Sequence, residues 1–153
     1  MAAGGFELYA TVWNCRTWKI QNVVNSGGSR SEAKLVRFAP SGTQLFVKGD
    51  FDIPGKIWRV HEGTVKCELE DDKFLTSDAG FSPDGRLVGT VGFEGIQLWD
   101  AETGRLLEKQ RGNYNSVAIS PDGKLMAVSS NWGTITLFKV NLTLVPPVAS
   151  SRP

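Results

Sequence analysis

The sequence is poor in the residues that metal and redox chemistry use: two cysteines and one histidine among 153 residues. Cys15 and Cys67 are too few for a disulfide framework and are not spaced like a metal site. The single histidine, His61, has no nucleophile that the sequence would place beside it. Gly-rich phosphate loops and dinucleotide fingerprints are missing. No enzyme activity, metal or cofactor is therefore expected. No apolar run approaches the length of a membrane span. Formal net charge is only +1 and the basic residues are scattered, so no field directs the chain to nucleic acid or an anionic membrane. Met1 to Gly5 lacks the charged and apolar regions of a secretory signal, so the expected location is cytoplasmic, with the nucleus left open. No window of ten or more residues holds a helical period.

What the sequence does have is a repeat with two signatures in phase. The first is an apolar residue, a small residue, then Pro-x-Gly: Phe38-Ala39-Pro40-Ser41-Gly42, Phe81-Ser82-Pro83-Asp84-Gly85 and Ile119-Ser120-Pro121-Asp122-Gly123. The second follows 16 to 18 residues after each proline and pairs an apolar residue with an aromatic: Ile57-Trp58, Leu98-Trp99 and Leu137-Phe138. A fourth copy, Val12-Trp13, opens the chain without a proline motif before it. A period near 40 residues marks stacked supersecondary units. The segments between the signatures have strand length and strand composition. The turns have a mechanism. In Ser-Pro-Asp-Gly the proline presets the first central position, Asp suits the second, and Gly takes the left-handed site that follows. Asp100-Ala101-Glu102-Thr103-Gly104 is a second tight connection in which Gly104 relieves a positive φ. Val60 to Gly63 and Cys15 to Trp18 hold the same place in their repeats, with Trp18 where the others have glycine.

These residues resemble the WD-repeat family of β-propellers, over about nine-tenths of the chain up to Val140. The best single stretch is Phe81 to Leu107, which includes the one actual Trp-Asp pair, Trp99-Asp100. The resemblance implies an all-β fold of four-stranded antiparallel blades, with strands a to d running outward from a central axis. The Pro-x-Gly turn then joins a to b, and the Trp-bearing strand is c. Two departures stand out. The family often has a Gly-His pair before strand a, whereas His61 falls in a c–d turn. The Asp usual between strands b and c is replaced nearby by Glu94 and Asn131. Cohesion between blades is therefore expected from apolar packing more than from a polar network.

Counting strands gives about three to three and a half blades in residues 1–140: an outer half-blade near 6–24, blades near 34–69 and 75–110, and strands a to c near 115–139. The ring is incomplete, since propellers need roughly four to eight blades. Residues 141–153 read as a disordered tail. Gly5-Phe6-Glu7 lines up with Gly92-Phe93-Glu94, so the chain is read as beginning inside a blade. The expectation is a fragment or terminal part of a larger propeller. Two other readings are copies assembling into a closed ring and an open arc with an unpaired edge.

The resemblance also implies function: a scaffold for protein partners, with self-association through open blade edges. The alternative is a repeat sensor within a larger signalling protein, and a propeller-fold enzyme fragment stands third. The d–a and b–c connections gather on one rim, where such propellers commonly bind partners. There the expected partner-binding residues are Phe51, Asp52, Phe93, Glu94, Tyr114, Asn131 and Trp132. Trp132 takes a loop position usually given to a polar residue, and Trp and Tyr are enriched at binding hot spots. The bland alternative for Phe51, Tyr114 and Trp132 is that each folds back over its own blade as a lid. Trp13, Trp58, Trp99 and Phe138 recur in phase and are assigned to packing. Asp100, Pro40, Pro83, Pro121, Gly85 and Gly123 are assigned to the repeat's turns.

Overall fold

The computed structural model describes residues 2–4, 9–25, 33–49, 53–70 and 75–140. The expected lid or site residues Phe51 and Asp52, and the tail 141–153, lie outside the described residues. Among the described residues, fourteen strands form four antiparallel sheets. The first holds β1 (Ala2–Gly4), β2 (Tyr9–Trp13) and β3 (Ile20–Asn25). The second holds β4 (Leu35–Phe38), β5 (Gln44–Lys48), β6 (Lys56–Arg59) and β7 (Thr64–Glu68). The third holds β8 (Thr76–Phe81), β9 (Leu87–Gly92), β10 (Gly95–Asp100) and β11 (Leu106–Gln110). The fourth holds β12 (Tyr114–Ile119), β13 (Leu125–Ser130) and β14 (Ile135–Lys139). Strands β4, β8 and β12 lie side by side, with β1 against β4, so the sheets stack face to face around an inner edge. The all-β, open-ring architecture matches the expected one. The structure adds one strand: Ala2–Gly4 pairs with β2 and places a third strand in the first sheet. Its residues have little strand preference of their own, so only the pairing reveals it.

The strands alternate, and each face has a fixed direction. The residue before each aromatic looks toward the following sheet, and the aromatic looks back at the preceding one. One buried cluster joins Leu35, Phe46, Ile57 and Leu69 of the second sheet to Phe81, Val88 and the fully buried Trp99 of the third. A second sets Ala10, Val12 and Val24 of the first sheet against Leu45, Val47 and Trp58. A third sets Val91 and Ile96 against Val117, Met126 and Val128, with Phe138 packed on it. In the third sheet Gly80 and Gly89 make room for this contact: a Cβ at Gly89 would stand 3.1 Å from Met126 Sδ.

The turns hold themselves in shape. Ser82 Oγ donates to Asp84 Oδ1 at 2.6 Å and accepts from Leu87 N at 2.9 Å, while Gly85 stands at φ 71°. Ser120, Asp122, Leu125 and Gly123 (φ 72°) repeat this arrangement. At the c–d turns one backbone bond recurs, from Gly63 to Arg59, Gly104 to Asp100 and Trp18 to Asn14, at 2.8–2.9 Å. All three donors have positive φ: 66°, 79° and 55°. Trp18 is thus a non-glycine residue in the left-handed region, which costs roughly 1–3 kcal/mol. The Asp100 carboxylate accepts from Glu102 N and Thr103 N, and Asn14 does the same for Arg16 N and Thr17 N.

Candidate protein-interaction surface

The strand order puts the turns on two rims. The β9–β10 and β13–β14 turns share one rim with the connections between sheets. The Pro-x-Gly turns and the turns that carry Trp18, His61 and Asp100 share the other. On the first rim Phe93 is 73% exposed and Trp132 85% exposed, one on each of two adjacent sheets. Neither covers its own sheet. The backbone beneath Trp132 is fixed: Ser130 Oγ accepts from Trp132 N at 3.2 Å and pairs with Thr134 Oγ1 at 2.6 Å, and Gly133 takes φ 74°. A rigid turn therefore presents the indole outward. Beside it, Asn131 Nδ2 donates to Asn113 Oδ1 at 3.2 Å, and its Oδ1 accepts from Asn115. Beside Phe93, Glu94 accepts from Lys109 Nζ at 2.9 Å. Phe93, Glu94, Lys109, Arg111 and Gly112 line a shallow open cleft. Large apolar groups over fixed polar ones suit the surface of another protein.

Tyr114 departs from the expected placement. It opens strand β12, paired with Ser130, rather than standing in a loop. Its ring is half-buried, packs on the third core cluster, and fills the space a side chain at Gly112 would need. The d–a connection is simply shorter than the sequence suggested. On the opposite rim, His61 Nδ1 lies 3.2 Å from Gln21 Nε2, an exposed pairing with no nucleophile in it. Burial pushes the Cys67 thiol up to about 11, which makes it a poor nucleophile.

Where the sequence predicts cohesion between blades from apolar packing, the structure contains a polar tie. Asp78, in β8, is buried and joins three sheets. Its Oδ1 accepts from Arg37 of β4 at 2.7 Å and from Ala79 N at 2.9 Å. Its Oδ2 accepts from Ser116 Oγ at 2.8 Å and Val117 N at 3.1 Å, both in β12. Desolvation pushes this carboxyl up, but the bonds from Ser116, Val117 and Ala79 and the Arg37 charge outweigh it and hold it below the usual carboxylate range. A signal was present: Arg37, Asp78 and Ser116 stand one repeat apart. A second polar contact joins Trp99 Nε1 to Thr90 Oγ1 at 2.9 Å. In the second sheet Val47 stands where Thr90 stands, and Trp58 Nε1 is buried without a partner.

No protein-family model matches the chain. Among curated proteins it is 32% identical over 133 residues to telomerase protein component 1 of Mus musculus, covering 84% of this chain and 5% of that protein. It is 24% identical over 107 residues to the target of rapamycin complex subunit LST8 of Saccharomyces cerevisiae, covering 67% and 35%. It is 32% identical over 77 residues to the human WD repeat and SOCS box-containing protein 1, covering 46% and 18%. The chain resembles WD-repeat proteins at modest identity, consistent with a divergent WD-repeat propeller. It spans about a twentieth of the telomerase component and about a third of LST8. The fold agrees with two solved structures of computationally designed proteins, each at 20% identity. Ika4 has a TM-score of 0.75 over 92% of this chain and 84% of its own. Ika8 has a TM-score of 0.72 over 90% of this chain and 42% of its own. The likeness to WD-repeat proteins reaches single residues of this chain. Its Trp99-Asp100 pair divides the work: the indole locks strand c to strand b through Thr90, and the carboxylate locks the turn to strand d.

Proposed function

We propose that this chain is part of a larger WD-repeat propeller and holds a protein partner on the rim that carries Phe93 and Trp132. The observation that carries the reading is the pair of large aromatics left in solvent on adjacent blades, one of them on a turn whose backbone is pinned. Exposing an indole gives nothing to the fold, whereas a rigid aromatic loses little entropy on binding. Glu94 and Asn131, each held by neighbours, supply oriented polar groups beside the aromatics. The relatives' names point the same way: one is a subunit of a complex and another a component of telomerase.

The test is affinity capture from a cell extract with three forms of the tagged chain. Trp132→Ala with Phe93→Ala should lose a protein that the unsubstituted chain retains, with circular dichroism unchanged. His61→Ala, on the opposite rim, should retain it. If the aromatic pair can be removed without loss and the His61 variant loses the partner, the binding rim is the other one.

A further inference from the structure

The two outermost sheet faces are complementary in the phase of the repeat. On the fourth sheet the row Ala118–Ala127–Leu137 continues the role of Gly80–Gly89–Leu98 in the third, the row that looks toward a following sheet. In the third sheet that row is covered. In the fourth, Leu137 is 64% exposed and Ile135, on the same face, 74%. On the first sheet the face turned away from the second carries Trp13, in the phase of Trp58 and Trp99, and its neighbours Ile20 and Val23 are 61% and 51% exposed. One free face is therefore of the kind that receives an aromatic from strand c. The other is of the kind that supplies it.

Trp18 says which blade the first sheet is built to meet. At the equivalent turn of the third sheet Gly104 lies against the backbone of Glu68, the outer strand of the preceding sheet, so closely that no side chain fits. Gly63 also faces the first sheet's outer strand, but through the side-chain amide of Asn22, whose Oδ1 would lie 2.7 Å from a Cβ there. A tryptophan here is incompatible with a preceding sheet whose outer strand occupies that space. The fourth sheet is three-stranded, and β14 is its outermost strand among the described residues. Among the described residues nothing stands in the outer-strand position beside the exposed Ile135 and Leu137.

We propose that two copies of this chain associate head to tail. The first sheet of each packs on the fourth sheet of the other, and Trp18 fills the gap beside β14. This rests on the reading that the chain is part of a larger ring, and it names a second copy as the source of the remaining blades. Such a contact is heterologous, and with two copies it must close. Two sets of four sheets fall within the four to eight blades of known propellers. The same fold fills 84% of the Ika4 chain but only 42% of the Ika8 chain, so a unit of this size also fits within less than half of a longer chain.

Sedimentation of the purified chain should give twice its 16.7 kDa mass at micromolar concentration. Leu137→Asp on the tail face and Ile20→Glu on the head face are exposed substitutions, and each should give a folded monomer. Mixing the two variants should restore a dimer, because one intact contact remains. Trp18→Gly should weaken association at least ten-fold. Three results would each overturn the proposal: an unsubstituted chain that stays monomeric, a mixture that stays monomeric although each variant is folded, or a series of species that keeps growing with concentration. Substitutions at Phe93 and Trp132 lie outside both faces and should leave the mass unchanged, so the partner rim and the self-contact fail or stand separately.

Discussion

At the scale of single residues, two tryptophans in the same phase have different fates because of one neighbour. Trp99 and Trp58 are both buried, but Thr90 accepts the Trp99 indole N–H while Val47 leaves that of Trp58 unpaired. A buried donor without a partner costs about 1–3 kcal/mol, whereas a made bond gains only about 1 kcal/mol net. Thr90→Val should therefore lower unfolding free energy by roughly 2 kcal/mol. Val47→Thr, which puts a hydroxyl in the equivalent place, should raise it by about 1 kcal/mol despite polar atoms entering the core. Chemical denaturation of the two variants checks both signs. If Val47→Thr destabilises, the hydroxyl does not reach Trp58. The sequence showed the tryptophans by their period. It did not show this contrast, because Thr and Val both read as good strand residues and only the register aligns them.

At the scale of elements, turns were more legible than contacts. The Pro-x-Gly turns could be read because their residues answer a local backbone demand, and Gly42, Gly85 and Gly123 all stand near φ 71°. The c–d turn could be read too, and it identified Trp18 as the exception. What the sequence hid was whatever depends on a distant strand: the pairing of Ala2–Gly4, the place of Tyr114 in β12, and the grip of Asp78 on two other sheets. Among the expected site residues, Phe93 and Trp132 stand in solvent, while Tyr114 packs inward. The Trp18 turn also makes a prediction. With positive φ and 69% exposure, this residue strains its backbone without burying its ring. Trp18→Gly in the Leu137→Asp background, where association is blocked, should raise unfolding free energy by about 1 kcal/mol. The unfolded chain gains freedom from the glycine, which trims the gain. A fall in the thermal midpoint would mean that the indole makes contacts within its own chain worth more than the strain.

At the scale of the molecule, sheets stacked through apolar faces can slide, and Asp78 gives the stack a register. One carboxylate holds donors from the sheet before it and the sheet after it, with its own strand completing the set. The Arg37 ion pair is half in water and contributes little by itself. The buried bonds from Ser116 and Val117 carry more, because without the carboxylate they lose their acceptor. Asp78→Asn keeps the shape but turns an amide N–H2 toward donors on one side, so it should cost roughly 2 kcal/mol at neutral pH. The pH dependence follows from the depressed carboxyl. Its folded-state pKa lies below the unfolded one, so the unfolded chain takes up a proton first as pH falls. The stabilisation is complete above about pH 5 and disappears as the solution passes below about pH 4 toward the folded-state value. Asp84 and Asp122 are also held low by their turns and add their own acid sensitivity. The difference in unfolding free energy between the parent and Asp78→Asn isolates the one group. In the Leu137→Asp background, urea denaturation across that range should show this difference near its full size at neutral pH and shrinking in acid. A difference that stays constant from neutral to acid pH would mean that the charge on Asp78 is not what ties the three sheets together.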